Sequence, residues 1–73
     1  MPSIHNIASK TIFKFLIKEG FEVNHQKGSH VQLRKDNLLV TVPDHGNKIL
    51  KVKTTLSILK QAQIDKKYFL ENC

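Results

Sequence analysis

Residues 25–34 read HQKGSHVQLR: a lysine, a glycine, a serine and a histidine stand just before an alternating apolar stretch. These residue types suit metal-free cleavage of RNA. The 2′-hydroxyl of RNA is itself a nucleophile. A protein need only take its proton, offset charge on the crowded phosphate and protonate the leaving 5′-oxygen. An imidazole, with an ordinary pKa of about 6.5, serves as base or acid near neutral pH. Cations beside it offset charge developing on the phosphoryl oxygens. His30 is the candidate acid/base here, with Lys27 and Arg34 as candidate cations, and Gly28 lets the backbone approach a phosphate. A polar hairpin turn is the plainer account of the same residues, and composition alone leaves both open.

Other chemistries find less support. Two-metal catalysis needs clustered carboxylates, whereas Glu19, Glu22, Asp36, Asp44, Asp65 and Glu71 are scattered. His5, His25, His30 and His45 form no i,i+4 pair and have no cysteine partners, which argues against zinc. Ser29 and His30 are adjacent in a strand and so point to opposite faces, with no glycine-flanked elbow around the serine. The sequence therefore calls for no metal and no cofactor.

The elements that must hold these residues follow from periodicity. Ser9 is the expected cap of a helix over about 10–19, with Ile12, Phe13, Leu16 and Ile17 on its apolar stripe and Lys10, Lys14 and Lys18 on a solvated face. Gly20 ends it as a left-handed residue, with Phe21 folding back. FEVNHQ alternates as a strand, Lys27–Ser29 turns the chain, and HVQLR resumes the alternation. Val31 and Leu33 then share one face, His30, Gln32 and Arg34 the other. After a second turn at 35–37, LLVTV forms a third strand ended by Pro43. DHGNK is a loop, and residues 49–53 favour no element. Thr54 or Thr55 is the expected cap of a second helix to about Gln63, burying Leu56, Ile58, Leu59 and Ala62. Asp65 caps a short final turn carrying Tyr68, Phe69 and Leu70. The expected class is α+β: an α-β-β-β-α sandwich with a three-stranded antiparallel sheet, both helices on one face and the other face open. A single domain is expected over 1–73, with a core of about 8–64 and a helical tail at 65–73.

Twelve Lys/Arg against six Asp/Glu give a formal charge of +6, which points to polyanionic partners. Lys48 and Lys51, with Lys53 and Lys60, either extend a phosphate-binding surface or simply face solvent. The phenylalanines and Tyr68 fall on apolar stripes, as packing residues rather than base-stacking platforms. No apolar run approaches the ~20 residues that span a bilayer, and the N-terminus shows no secretion pattern. The one cysteine, Cys73, cannot form an internal disulfide, as suits a reducing cytoplasm. A cytoplasmic protein without membrane contact is expected.

HQKGSHVQLRK, followed by VTVPDH and KVKTTLSILKQAQID, resembles the HicA family of toxins from toxin–antitoxin pairs. The resemblance runs from about Ala8 to Leu70 and includes the EGF that closes the first helix. It implies a fold similar to a double-stranded-RNA-binding domain. It also implies an mRNA interferase, an endoribonuclease that arrests growth until a HicB-like antitoxin masks its site. The family's catalytic histidine falls on His30, its GSH motif on Gly28, Ser29 and His30, and its preceding basic position on Lys27. His45 matches a histidine that often follows the family's VP pair. The residues so taken to contact RNA are Lys27, Gly28, Ser29, Gln32, Arg34, His45, Lys48 and Lys51. The expected partners are mRNA and the antitoxin, with the free toxin monomeric and the pair a hetero-oligomer. A non-catalytic RNA-binding domain of the same fold is the alternative. Three departures stand out. His25 replaces an arginine common in relatives. Thr54-Thr55-Leu56 stands where they read GTL, without a flexible residue before the second helix. Gln61-Ala62-Gln63-Ile64 stands where they read QAGI, which forgoes a favourable left-handed helix end.

Overall fold

A computed structural model describes residues 3–73; Met1 and Pro2, part of the stretch scanned for a secretion pattern, lie outside it. After a 3-10 turn over Ile4–Asn6 come α1 (Ser9–Lys18), β1 (Glu22–Lys27), β2 (His30–Lys35), β3 (Leu38–Pro43), α2 (Val52–Ala62) and α3 (Lys66–Asn72). The strands form an antiparallel sheet in the order β1-β2-β3. This is the α-β-β-β-α architecture expected, with the tail as a third helix. No helix among the described residues is long and apolar enough to cross a membrane.

The core forms where the apolar stripes of the helices meet one face of the sheet. Val31 and Leu33 of β2 and Val40 and Val42 of β3 are buried with Ile12, Phe15 and Leu16 of α1 and Ile58, Leu59 and Ala62 of α2. Phe69 of α3 completes it, its ring edge-on to Phe15 with centroids 4.8 Å apart. Alternation therefore reports correctly which face of β2 is buried. Every residue of β1 is exposed, because the helical layer covers β2 and β3 and leaves β1 as an open edge. Two apolar residues expected inside also lie at the surface: Ile17 is 43% exposed and Leu56 41%. Periodicity gives the angle of a side chain around its helix but not where the covering layer stops.

Helix ends show local chemistry and its limits. At the C-terminus of α1 the Phe21 N–H donates to the Leu16 carbonyl (3.0 Å) and the Gly20 N–H to that of Ile17 (3.1 Å), with Gly20 at φ +102°. This is a Schellman end, as Gly20 and Phe21 led one to expect. Asp65 caps α3 by accepting from the Tyr68 N–H at 3.3 Å. Ser9, however, does not cap α1. The helix begins at Ser9 itself, after Ala8, and its first donors are met by loop carbonyls: Ser9 N–H by Lys48 (2.9 Å) and Lys10 N–H by Gly46 (2.9 Å). With those groups satisfied from elsewhere in the chain, the Ser9 hydroxyl is free for another use.

Nor do Thr54 or Thr55 cap α2. The Leu50 N–H donates to the Ile7 carbonyl (2.8 Å) and Ala8 bridges Ile49, which anchors this segment and lets the helix start directly after Lys51. Thr54 thus lies inside α2 rather than ahead of it. Thr55 is buried within the helix, and its hydroxyl has no hydrogen-bond partner among the described residues. The far end of α2 keeps its left-handed turn without glycine: Gln63 takes φ 57°, ψ 42°, and Ile64 N–H donates to Leu59 (2.9 Å).

Candidate functional site

Strand register arranges the solvent face of the sheet in rows. Residues directly opposite one another on paired strands share a face. Lys27, His30 and Pro43 make one row, His25, Gln32 and Thr41 the next, and Glu22, Arg34 and Leu39 the last. A bulge between Val23 and His25 keeps His25 and Lys27 on this face. His30 is exposed at one end of the sheet with Lys27 beside it.

The turn beneath His30 is a two-residue hairpin loop. Gly28, at φ +60°, occupies its first central position, which suits a type II′ turn and disfavours any residue with a Cβ. A Cβ there would meet no atom within 4 Å, so the space above the turn is open. The Gln26 side-chain amide donates to the Gly28 carbonyl at 3.2 Å, bracing the turn from the β1 side. From the β3 side, the Asp44 N–H donates to the Ser29 carbonyl.

That last contact brings a second element to the same place. Beyond Pro43, residues 44–48 fold back across the N-terminus of α1. The hydroxyl of Ser9, buried at 1% exposure, donates to the Pro43 carbonyl and accepts from the His45 N–H at 3.1 Å. Lys48 N–H closes the loop on the His45 carbonyl (3.1 Å). Pro43 pairs with His30, so the Cα of His45 lies within about 13 Å of that of His30 by chain reach alone. Of the residues expected to form a site, the structure brings some together and leaves others apart. Lys27, Gly28, Ser29 and His30 come together at one sheet end, and the Asp44–Ser29 bond ties the loop that carries His45 to it.

Other expected members lie apart. Arg34 shares the face of His30 but sits four residues along β2, about 13 Å away at ordinary strand rise. Its Nε donates to the Asp36 carbonyl (3.1 Å), and Glu22 stands opposite. Gln32, in the middle row, accepts a 2.8 Å hydrogen bond from the Asn24 amide. Lys48 and Lys51 are exposed on the segment between the loop and α2. Among the described residues no three His, Cys, Asp or Glu side chains gather in a group able to hold a metal ion. Ser9 is the residue that sequence reasoning assigned to the wrong task. No local signal distinguishes a serine that caps its own helix from one that binds a loop thirty-odd residues on.

The chain is thus a small basic α+β protein with an imidazole and an ammonium exposed beside a glycine turn at the end of an open sheet face. Residues 9–64, well over half of the chain, match the family model described as the HicA toxin of bacterial toxin–antitoxin systems. The chain belongs to the HicA toxin family. Membership carries with it a cognate antitoxin as partner. No curated protein and no solved structure matches the chain.

Proposed function

We propose that this toxin is a metal-independent endoribonuclease that cuts mRNA with His30 as a general acid/base. The observation that carries the reading is the row formed by His30 and Lys27 above the Gly28–Ser29 turn, on a face the helices leave open. A phosphodiester laid on this row has an ammonium for its non-bridging oxygens and an imidazole within reach of a bridging one. The 2′-oxygen loses its proton and bonds to phosphorus, the P–O5′ bond breaks, and the departing oxygen receives a proton. The products are a 2′,3′-cyclic phosphate and a free 5′-hydroxyl. His30 carries out one of the two proton transfers, and Lys27 offsets the charge that builds on the phosphoryl oxygens. The formal +6 charge draws the RNA to the surface. A HicB-like antitoxin silences the enzyme by covering this end of the sheet.

The test incubates the purified chain and its His30→Ala variant with single-stranded RNA in EDTA. Cleavage by the wild type alone, leaving cyclic-phosphate ends, is the expected result. Equal cleavage by both proteins would refute the role of His30. Salt-sensitive binding that leaves the RNA intact would instead make the chain a non-catalytic RNA-binding module.

A further inference from the structure

In-line cleavage moves two protons, one off the 2′-oxygen and one onto the 5′-oxygen, and a single imidazole does not serve both positions at once. We infer that Ser9 is a positioning residue that clamps loop 44–48 to the sheet end, and that the side chain it presents, His45, is the second proton-transfer group. The inference rests on the role of His30 proposed above.

A buried hydroxyl needs partners, and Ser9 takes one from the end of β3 and one from the loop that follows: it donates to the Pro43 carbonyl and accepts from the His45 N–H. Two backbone bonds from the same turn of α1 reach Gly46 and Lys48. On the other side, Asp44 is tied to Ser29, the neighbour of His30. A surface loop containing Gly46 and Asn47 would ordinarily be mobile. Here its backbone is held from two directions while the His45 side chain stays exposed. Holding a reacting group in place on a braced backbone is what proton transfer to a bound phosphate requires. Lys27 is the other candidate, but an ammonium beside the phosphate is better suited to charge neutralisation than to shuttling protons near neutral pH. Titratable groups on the segments bonded to this loop are Asp44 and Lys48 of the loop itself, Lys10 of α1, whose N–H reaches Gly46, and, across the Asp44–Ser29 bond, Lys27 and His30 of the hairpin.

The experiment measures RNA cleavage in EDTA against pH for the full chain and for Ser9→Ala, His45→Gln, the double variant and His30→Ala. The wild-type kcat should fall on both the acid and the alkaline side. His45→Gln should lose one of those limbs and about a hundredfold in kcat. Ser9→Ala should weaken the same limb and lower kcat with KM little changed. The double variant should be no slower than His45→Gln, because the serine acts through the histidine. Retention of both limbs in either single variant, or losses that multiply in the double variant, would overturn the inference. Circular dichroism checks that Ser9→Ala folds; if it does not, the surface variant His45→Gln decides alone. If the wild type leaves RNA intact, or His30→Ala cuts as well as wild type, the prior reading has failed and this one falls with it. That result is distinguishable from an active, His30-dependent enzyme indifferent to His45.

Discussion

Gln63 holds backbone angles that an L-residue adopts at a cost, so Gln63→Gly should stabilise the protein. At φ 57°, ψ 42° the residue lies in the left-handed region, where its Cβ crowds the following carbonyl. Such a conformation costs about 1–2 kcal/mol for a residue with a Cβ. Glycine removes that cost but loses about 0.4–1 kcal/mol through the greater freedom of its unfolded chain. The Gln63 side chain is exposed, while the bonds that close the helix, Gln63 N–H to Lys60 (3.1 Å) and Ile64 N–H to Leu59, belong to the backbone and survive the substitution. Taking the middle of each range, the net gain is about 0.5–1 kcal/mol. With an unfolding entropy of roughly 0.15 kcal/mol/K for a chain of this length, Tm should rise by about 3–7 °C. Thermal and urea denaturation followed by circular dichroism measure this, with Gln63→Ala as control. Alanine keeps the Cβ and should change stability far less. A glycine variant no more stable than the wild type, or an alanine variant equally stabilised, would show that the left-handed angles carry no strain.

Thr55→Val should also stabilise, by about 1 kcal/mol in urea denaturation, because valine fills the same space without burying an unpartnered hydroxyl. Phe69→Ala should cost about 3–5 kcal/mol, enough to unfold a large share of so small a protein at 37 °C, since the ring is fully buried against Phe15. The Tyr68 hydroxyl donates to the Glu19 carboxylate at 3.1 Å, and that bond, with lesser help from partial burial and the carboxylate charge, holds the phenol above its ordinary value of 10.0. A raised pKa in the folded state contributes stability below pH 10 that is lost as pH climbs through the folded value. Tyr68→Phe should therefore lower stability slightly below pH 10 and flatten the alkaline limb of the profile, so that urea denaturation at a series of pH values finds the two proteins converging at high pH.

Local chemistry announced itself in the sequence wherever one stretch of chain decides the outcome. Val31 and Leu33 alternate with His30 and Gln32 because only one face of β2 is covered. Gly20 and Asp65 end and begin helices through bonds to their own neighbours. The features that stayed hidden depend on distant partners. Ser9 and the two threonines carry capping side chains, yet the donors they would cap are met by Gly46 and Lys48 in one case, and the start of α2 is set by the pairing of 49–50 with 7–8 in the other. His30 and Lys27 could be placed together from alternation and the glycine turn. Arg34 shares their face for the same reason, but alternation does not carry the distance that separates them. The meeting of loop 44–48 with the first turn of α1 has no local signature at all.

That meeting divides the site by the order in which its parts can form. The hairpin under His30 pairs near neighbours through a two-residue turn, and such structure closes within microseconds. The Ser9 bonds join residues 34 and 36 positions apart, so they wait on the closure of a long loop and on the third strand. During synthesis, a chain that has just released residue 34 already holds everything needed for the His30 turn. It holds nothing of the His45 loop. The two imidazoles are fixed relative to one another only when nearly the whole fold is made, so a nascent or locally unravelled chain carries the His30 turn without the His45 loop.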